Sequence, residues 1–308
     1  MRILIGLVCL CLSALAQMDR IDIFPKGYAP SDIGGIRILD AKTLSFKPMD
    51  EMVFSDISAL AYDKRRGLFA LSNKGYLFRL DLEIAQKKIT RLELKEARAL
   101  KTKKGKALKK KKRDAEGMVL SEAGLIISFE RKPKVSLYDF KGKKIKNYPL
   151  AQELQDIENY TRANKALESV AMHPLFGIIT APEAPLKATD SNFHTIYSLQ
   201  KRWRFKASGE ITAIELMPDN NLLVLERDYN VFRGHSIWLS RVDIMGCETE
   251  TCPSENLAAL KRSDGWKLDN FEGLTRIKDD MYLMISDDNG NFLQKCIIVL
   301  FEINNDRM

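Results

Sequence analysis

Apolar and polar residues alternate along most of this chain in runs of five to seven, bounded by Gly, Asn and charged turns, which is strand spacing rather than helical spacing. One phrase recurs. It has an apolar or small residue, then a Glu or hydroxyl residue, then a small residue and an apolar stretch. Its copies begin Ile57-Ser58-Ala59, Ala115-Glu116-Gly117, Leu167-Glu168-Ser169, Ile211-Thr212-Ala213 and Phe271-Glu272-Gly273, with second positions 58, 52, 44 and 60 residues apart. Second strands are expected at 67–72, 124–128, 177–181, 221–225 and 281–286, and third strands at 76–82, 135–140, 237–244 and 297–303. A unit of three or four short strands at such a period is what a propeller blade requires. The pattern therefore predicts an all-β chain, a single β-propeller of five or six blades. A strand at 36–46 lies beside 297–303 and closes the last blade, removing two open sheet edges. A sixth blade would have to come from 243–270 or the first 40 residues. Residues 151–165, rich in Glu, Gln, Leu and Ala, predict a helix between blades.

With 308 residues, 45% hydrophobic and 29% charged, the chain is neither disordered nor a multi-span membrane protein. Its first residues are Met1, Arg2 and an apolar stretch over 3–16 that ends Ala14-Leu15-Ala16. The stretch is too short to span a bilayer and has the form of a secretory signal cleaved after Ala16. Residues 17–308 would then form one domain in the periplasm or outside the cell, with no transmembrane span. Cys247 and Cys252 flank a short polar loop and suit a local disulfide in an oxidising compartment, while Cys296 opens an apolar run and reads as core. A zinc site is disfavoured, because none of the three His lies near that pair in sequence.

The formal charge of +8 comes from one place. Residues 95–113 hold eleven Lys/Arg and one Glu, so the rest of the chain is slightly acidic. Such a run repels itself and predicts a solvated, mobile loop. It serves either as a plain Lys-rich connection or as a lure for an anionic ligand or envelope surface. Nucleic acid is not expected as a partner, since no stacking aromatics interleave the lysines.

Residues at the second position of each phrase should converge on the propeller axis. They are Ser58, Glu116, Glu168, Thr212 and Glu272. Converging carboxylates repel unless a cation compensates, and a divalent metal with oxygen ligands, calcium first, is the natural one. The plainer alternative is that each Glu caps its own blade through backbone N–H groups. A second set sits where strands open into loops: Asn73, Glu130, Arg131, Glu183, Glu226, Arg227, Asp228, Asp287, Asp288 and Asn289. Metal ligands are expected among Glu116, Glu168, Glu272, Ser58, Thr212, Glu183 and Asp288. Catalytic roles fall to Glu130, Arg131, Glu226, Arg227 and Asp287, with the arginines holding an anionic group. Arg/Glu pairs that fasten blades together are the rival reading. No Gly-x-Ser-x-Gly elbow, His-Glu-x-x-His or phosphate-cradling loop occurs, so hydrolysis would have to use metal-activated water.

The series Asp56-Ile57-Ser58-Ala59, Asp114-Ala115-Glu116-Gly117, Leu167-Glu168-Ser169 with Ala181-Pro182-Glu183, Leu225-Glu226-Arg227-Asp228, and Asn270-Phe271-Glu272-Gly273 with Ser286-Asp287-Asp288-Asn289 resembles the phytase-like family, described by its esterase-like activity of phytase. The resemblance runs from about residue 33 to 303 and implies a secreted or periplasmic propeller related in architecture to calcium-dependent phytases. The lysine load before Asp114 departs from it. Two functions are carried forward: a metal-dependent hydrolase of phosphoesters or other esters acting on a small anionic or ester ligand, and a non-catalytic propeller that binds a ligand or envelope protein.

Overall fold

The structure, a computed structural model, describes residues 14–28, 32–109, 112–291 and 294–304. Most of the expected leader falls outside them. Five antiparallel sheets are arranged as five blades around an axis. Blade 1 runs outward through Ile57–Asp63, Gly67–Ser72, Tyr76–Ala85 and Lys88–Ala99, with Ala14–Leu15 at its outer edge. Blade 2 holds Ala115–Ser121, Gly124–Phe129, Lys134–Tyr138 and Lys144–Tyr148. Blade 3 holds Leu167–His173, Gly177–Pro182, Phe193–Tyr197 and Arg202–Lys206. Blade 4 holds Glu210–Leu216, Leu222–Asn230, Gly234–Val242 and Ser254–Lys261. Blade 5 is built from both ends of the chain: Asn270–Lys278, Met281–Asp287 and Cys296–Ile303 are followed by Ile36–Ser45 and then Gln17–Arg20.

The closing strand is therefore where the sequence pattern puts it, with Val299 opposite Ala41 and Ile303 opposite Ile36. Residues 243–270 supply the outer strand of blade 4 rather than a sixth blade. Each pair of neighbouring blades buries its own apolar cluster. Phe271, Tyr282 and Leu225 pack between blades 4 and 5, for example, and Ile57, Phe78 and Ile298 between blades 5 and 1. Each such fully buried side chain contributes about 1.5–3 kcal/mol. The ring thus has five small cores rather than one. Cys247 and Cys252 are disulfide-bonded and Cys296 is buried and free. No helix among the described residues is long and apolar enough to cross a membrane.

Two expectations are corrected. The helix predicted over 151–165 is replaced by two 3-10 turns, Gln152–Leu154 and Ile157–Asn159. Leu150, Ala151, Leu154 and Tyr160 are drawn into the cluster between blades 2 and 3, and Tyr160 Oη donates to Leu154 O at 2.9 Å. Burial of a few anchors outweighs propensity in a segment too short to hold a helix by itself. The Lys-rich segment is likewise tied down. Its first residues belong to the outer strand of blade 1, and Leu100 and Leu108 are buried. Lys101 N donates to Gly142 O (2.7 Å), Lys144 N to Lys101 O (2.9 Å) and Leu108 N to Leu100 O (3.0 Å). The charge run conceals two leucine staples, and Lys103, Lys104, Lys106, Lys109 and Lys112 around them are exposed.

Candidate functional site

The recurring phrase marks the point where each inner strand leaves its ladder. Ile57 pairs with Ser72 and Ala59 with Leu71, which leaves Ser58 unopposed; Glu168, Thr212 and Glu272 are left out in the same way. In blade 2 the two residues Glu116 and Gly117 face Ser128 alone. Every inner strand thus carries a β-bulge at the second position, and a bulge re-aims its side chain. The small third residue follows from crowding near the axis. A Cβ on Gly117 would lie 2.6 Å from Ser128 Oγ and 2.7 Å from Glu168 O, and one on Gly273 2.6 Å from Ile285 Cγ2.

The bulges and the outgoing second strands open into a cavity of about 1330 Å³. It is lined by Glu116, Glu168 and Glu272 from the bulges. Asn73, Glu130 and Glu183 line it one residue past the last rung of their inner pairs, and Arg227 and Asp287 line it from the last rung itself, opposite Glu210 and Asn270. Arg131, Asp228 and Asn289 complete this group. The remaining expected residues lie elsewhere. Ser58 and Thr212 sit in a narrow recess that also touches Glu116, and their hydroxyls donate to carbonyls of the next blade, Ala115 O at 2.7 Å and Phe271 O at 3.2 Å. Glu226 is one position before Arg227, so the alternation of the strand turns it into the blade. There it accepts from Ser208 N (2.7 Å), Gly209 N (3.2 Å) and Ser240 Oγ (3.2 Å). Asp288 accepts from the backbone N–H groups of Asp56 and Gly290, both at 3.1 Å. Glu226 and Asp288 therefore fasten local structure and are turned away from the cavity.

Several lining residues were not anticipated, among them Asp114, Glu210, Asn270 and Lys165. The first three of these share one place in the phrase, directly before its first residue, where blade 1 has Asp56 and blade 3 has Ala166. That polar column was a readable signal. Among the histidines, His173 shapes a turn, its Nδ1 accepting from Leu175 N and Phe176 N. His194 meets Gly209 O at 2.6 Å, and His235 lines the cavity beside the Tyr229 ring.

The ring has two electrostatic halves. On the side of blades 4 and 5, the Arg227 guanidinium bonds Asn270, reaches Glu183 at 3.2 Å and Glu272 at 3.3 Å, and Asn270 donates to Glu272 at 2.7 Å. Lys165 pairs with Glu210 next to them. On the side of blades 2 and 3, no hydrogen bond or ion pair reaches the carboxylates of Glu116 and Glu168 among the described residues, although Glu168 lies within the electrostatic reach of Arg227. Burial, reinforced by the neighbouring acids, pushes both far above the usual carboxylate range. The same causes raise Glu130 to about 8 and, with Glu272 as the main neighbour, Asp287 to about 8. Burial raises Glu183 to about 7, with Arg227 working against it.

One oxygen each from Asp114, Glu116 and Glu130 lie within 4.8 Å of one another, and the same holds for Glu130, Glu168 and Glu183. Glu130 belongs to both groups. An all-carboxylate donor set fits a hard divalent cation such as calcium or magnesium, which takes oxygen ligands and completes its shell with water. It does not suit zinc, which favours nitrogen and sulfur.

Similar solved structures include the β-propeller domain of Cps50 (Swd1) from Myceliophteria thermophila, at 11% identity and TM-score 0.43, covering 93% of this chain and 99% of that one. The PQQ-bound aldose sugar dehydrogenase of Streptomyces coelicolor is 12% identical with a TM-score of 0.43, covering 89% of this chain and 100% of that one. Virginiamycin B lyase of Staphylococcus aureus is 8% identical with a TM-score of 0.43, covering 94% and 99%. No curated relative matches the chain. Residues 53–290, which include all five bulges and the strand ends around the cavity, match the family described as "Esterase-like activity of phytase". This chain belongs to the phytase-like family of β-propellers.

Proposed function

We propose that the propeller mouth hydrolyses phosphoric or other esters with a divalent cation, calcium by its donor chemistry, held by Glu130 together with Asp114, Glu116, Glu168 and Glu183. The observation that carries this reading is Glu130, shared by two groups of three carboxylates, in a half-ring whose Glu116 and Glu168 have no cation of their own. Such an ion, when bound, polarises an ester oxygen and makes water a stronger acid. The rest falls to the chain. Asp287 lies outside both carboxylate groups and is raised to about 8 by burial and Glu272, so in its ionised form it is placed to accept a proton from an attacking water. Arg131, 65% exposed and paired with Asp114 at 2.8 Å, is the guanidinium free to turn toward an anionic substrate group. Arg227 is committed inward and positions Glu183 and Glu272. Export belongs to the same reading, supported by the apolar leader over 3–16 and the Cys247–Cys252 disulfide.

The test is release of p-nitrophenol from its phosphate and acetate esters by calcium-loaded and chelator-treated protein. The calcium-loaded protein should turn over one or both, chelation should stop it, and E130Q should lower kcat at least about a hundredfold. Absence of turnover with calcium, magnesium or manganese overturns catalysis. A binding propeller without turnover is the second reading. The observation that favours it is the arginine-closed half of the ring, which already satisfies two of the acids without any ligand.

A further inference from the structure

The rim around the cavity carries two features that the ester-hydrolysis reading does not use. One is the tip of the blade 4 hairpin. Its strands continue past the last rung shared with the inner strand, Glu210 opposite Arg227, through Asp228–Ser236, Tyr229–His235 and Asn230–Gly234. The turn is held rigid, since Asn230 Oδ1 accepts from Phe232 N (2.9 Å) and Arg233 N (3.2 Å), and Gly234 closes it at φ +72°. The result is an apolar point in water: Val231 is 79% and Phe232 96% exposed. The stem of Arg262 packs against Gly234, and Arg233 is exposed beside it, so the point has a basic collar.

The other feature lies across the mouth on blade 2, where Lys112 and Lys132 adjoin the lining residues Asp114 and Arg131 in sequence and Lys134 stands opposite Phe129 at the mouth end of the sheet. None of the three makes an ion pair among the described residues. Lys134 is half-buried with its ammonium 4.0 Å from the centre of the Phe129 ring, and its neighbours Lys144, Lys112 and Lys132 disfavour its charged form further. A crowded set of unpaired ammonium groups is stabilised by an external anion.

We propose that this rim docks the propeller mouth-first on an anionic lipid bilayer, the Val231–Phe232 tip entering the headgroup boundary and the blade 2 lysines meeting acidic headgroups. The argument for a bilayer over a soluble polyanion is the pairing of the two features on one face. Stable membrane attachment takes two signals, an apolar insertion and a basic patch, whereas a dissolved polyanion has no use for an exposed phenyl ring. The cavity then opens toward the membrane surface. Docking does not depend on the metal chemistry, and a catalytically dead variant docks equally.

Co-sedimentation of the full chain with vesicles of phosphatidylcholine, with and without phosphatidylglycerol, tests this. Binding should require phosphatidylglycerol and disappear near 1 M salt, where the screening length falls to about 3 Å. Charge reversal is avoided by using K112Q/K132Q, which should weaken binding about 25-fold at about fivefold per lysine. F232S should weaken it about tenfold, and F232W should show an emission blue shift only with phosphatidylglycerol vesicles. Unaltered melting curves confirm that these exposed positions leave the fold intact. No binding to either vesicle, equal binding to both, or binding that ignores F232S and gives no shift in F232W overturns the proposal. The last outcome leaves a charge-only attachment to headgroups in its place.

Discussion

The two halves of the channel ring are built by the same device and end in opposite electrostatic states. Blades 2, 3 and 5 all present a Glu at the inner-strand bulge. Glu272 meets a guanidinium and an amide directly, while Glu116 and Glu168 have no ion pair among the described residues and stand mainly among other acids. The difference lies in one strand-end position, which is Arg227 in blade 4 and Glu130 in blade 2. A built-in cation makes one half a fastener. Its absence makes the other half a receptor for a cation or, without one, a store of protons.

The largest effect should come from breaking the closed half. R227M leaves Glu183 and Glu272 buried without their partner, which should cost about 3–5 kcal/mol in urea denaturation at pH 8. The cost should shrink at pH 5, where both acids take up protons. A cost under about 1 kcal/mol would mean that the guanidinium is not what holds this half together.

The open half should respond with the opposite sign and to metal. Glu130, raised to about 8, holds a proton in the folded chain that the unfolded chain has already released above pH 4–5. Its contribution to stability is therefore complete at low pH and is lost as pH rises toward 8. The histidines, pushed down by burial, act in the other direction around pH 6.5, so the informative quantity is a difference between variants. Between pH 5 and 8 the melting temperature of chelated wild type should fall relative to that of E130Q. Calcium at a hundred times its Kd should restore about 2.7 kcal/mol to wild type and far less to E130Q. Parallel pH profiles for the two proteins, or an equal calcium response, would remove the distinction between the halves.

The smallest effect sharpens the boundary of the site. E226Q should cost about 1 kcal/mol, because a neutral amide accepts more weakly from Ser208 and Gly209, and should leave the calcium response unchanged. A lost calcium response in E226Q would mean that this side chain reaches the cavity after all.

Much of this was legible from residue order. The propeller, its closing strand over 36–45 and the second-position column of Ser58, Glu116, Glu168, Thr212 and Glu272 follow from a period-two pattern repeated with a fixed phrase. Glu226 was misassigned to the site because it adjoins Arg227, and adjacency misleads on a strand, where neighbours face opposite ways. The helix expected over 151–165 failed for a different reason. Leu154 and Tyr160 carry no mark in the sequence that they will be anchored between blades 2 and 3.

The repeat, its second-position column and the supply of carboxylates are written in residue order, because strand periodicity and turn chemistry are local, whereas the bulges at that column appear only in the strand register. Which acids share a neighbour was decided by the tertiary ring alone. Arg227 reaches Glu183, 44 residues away, and Asn270, 43 residues away, only because three blades meet at one axis. Coulomb energy depends on distance through space, and no local pattern encodes the closure that sets those distances.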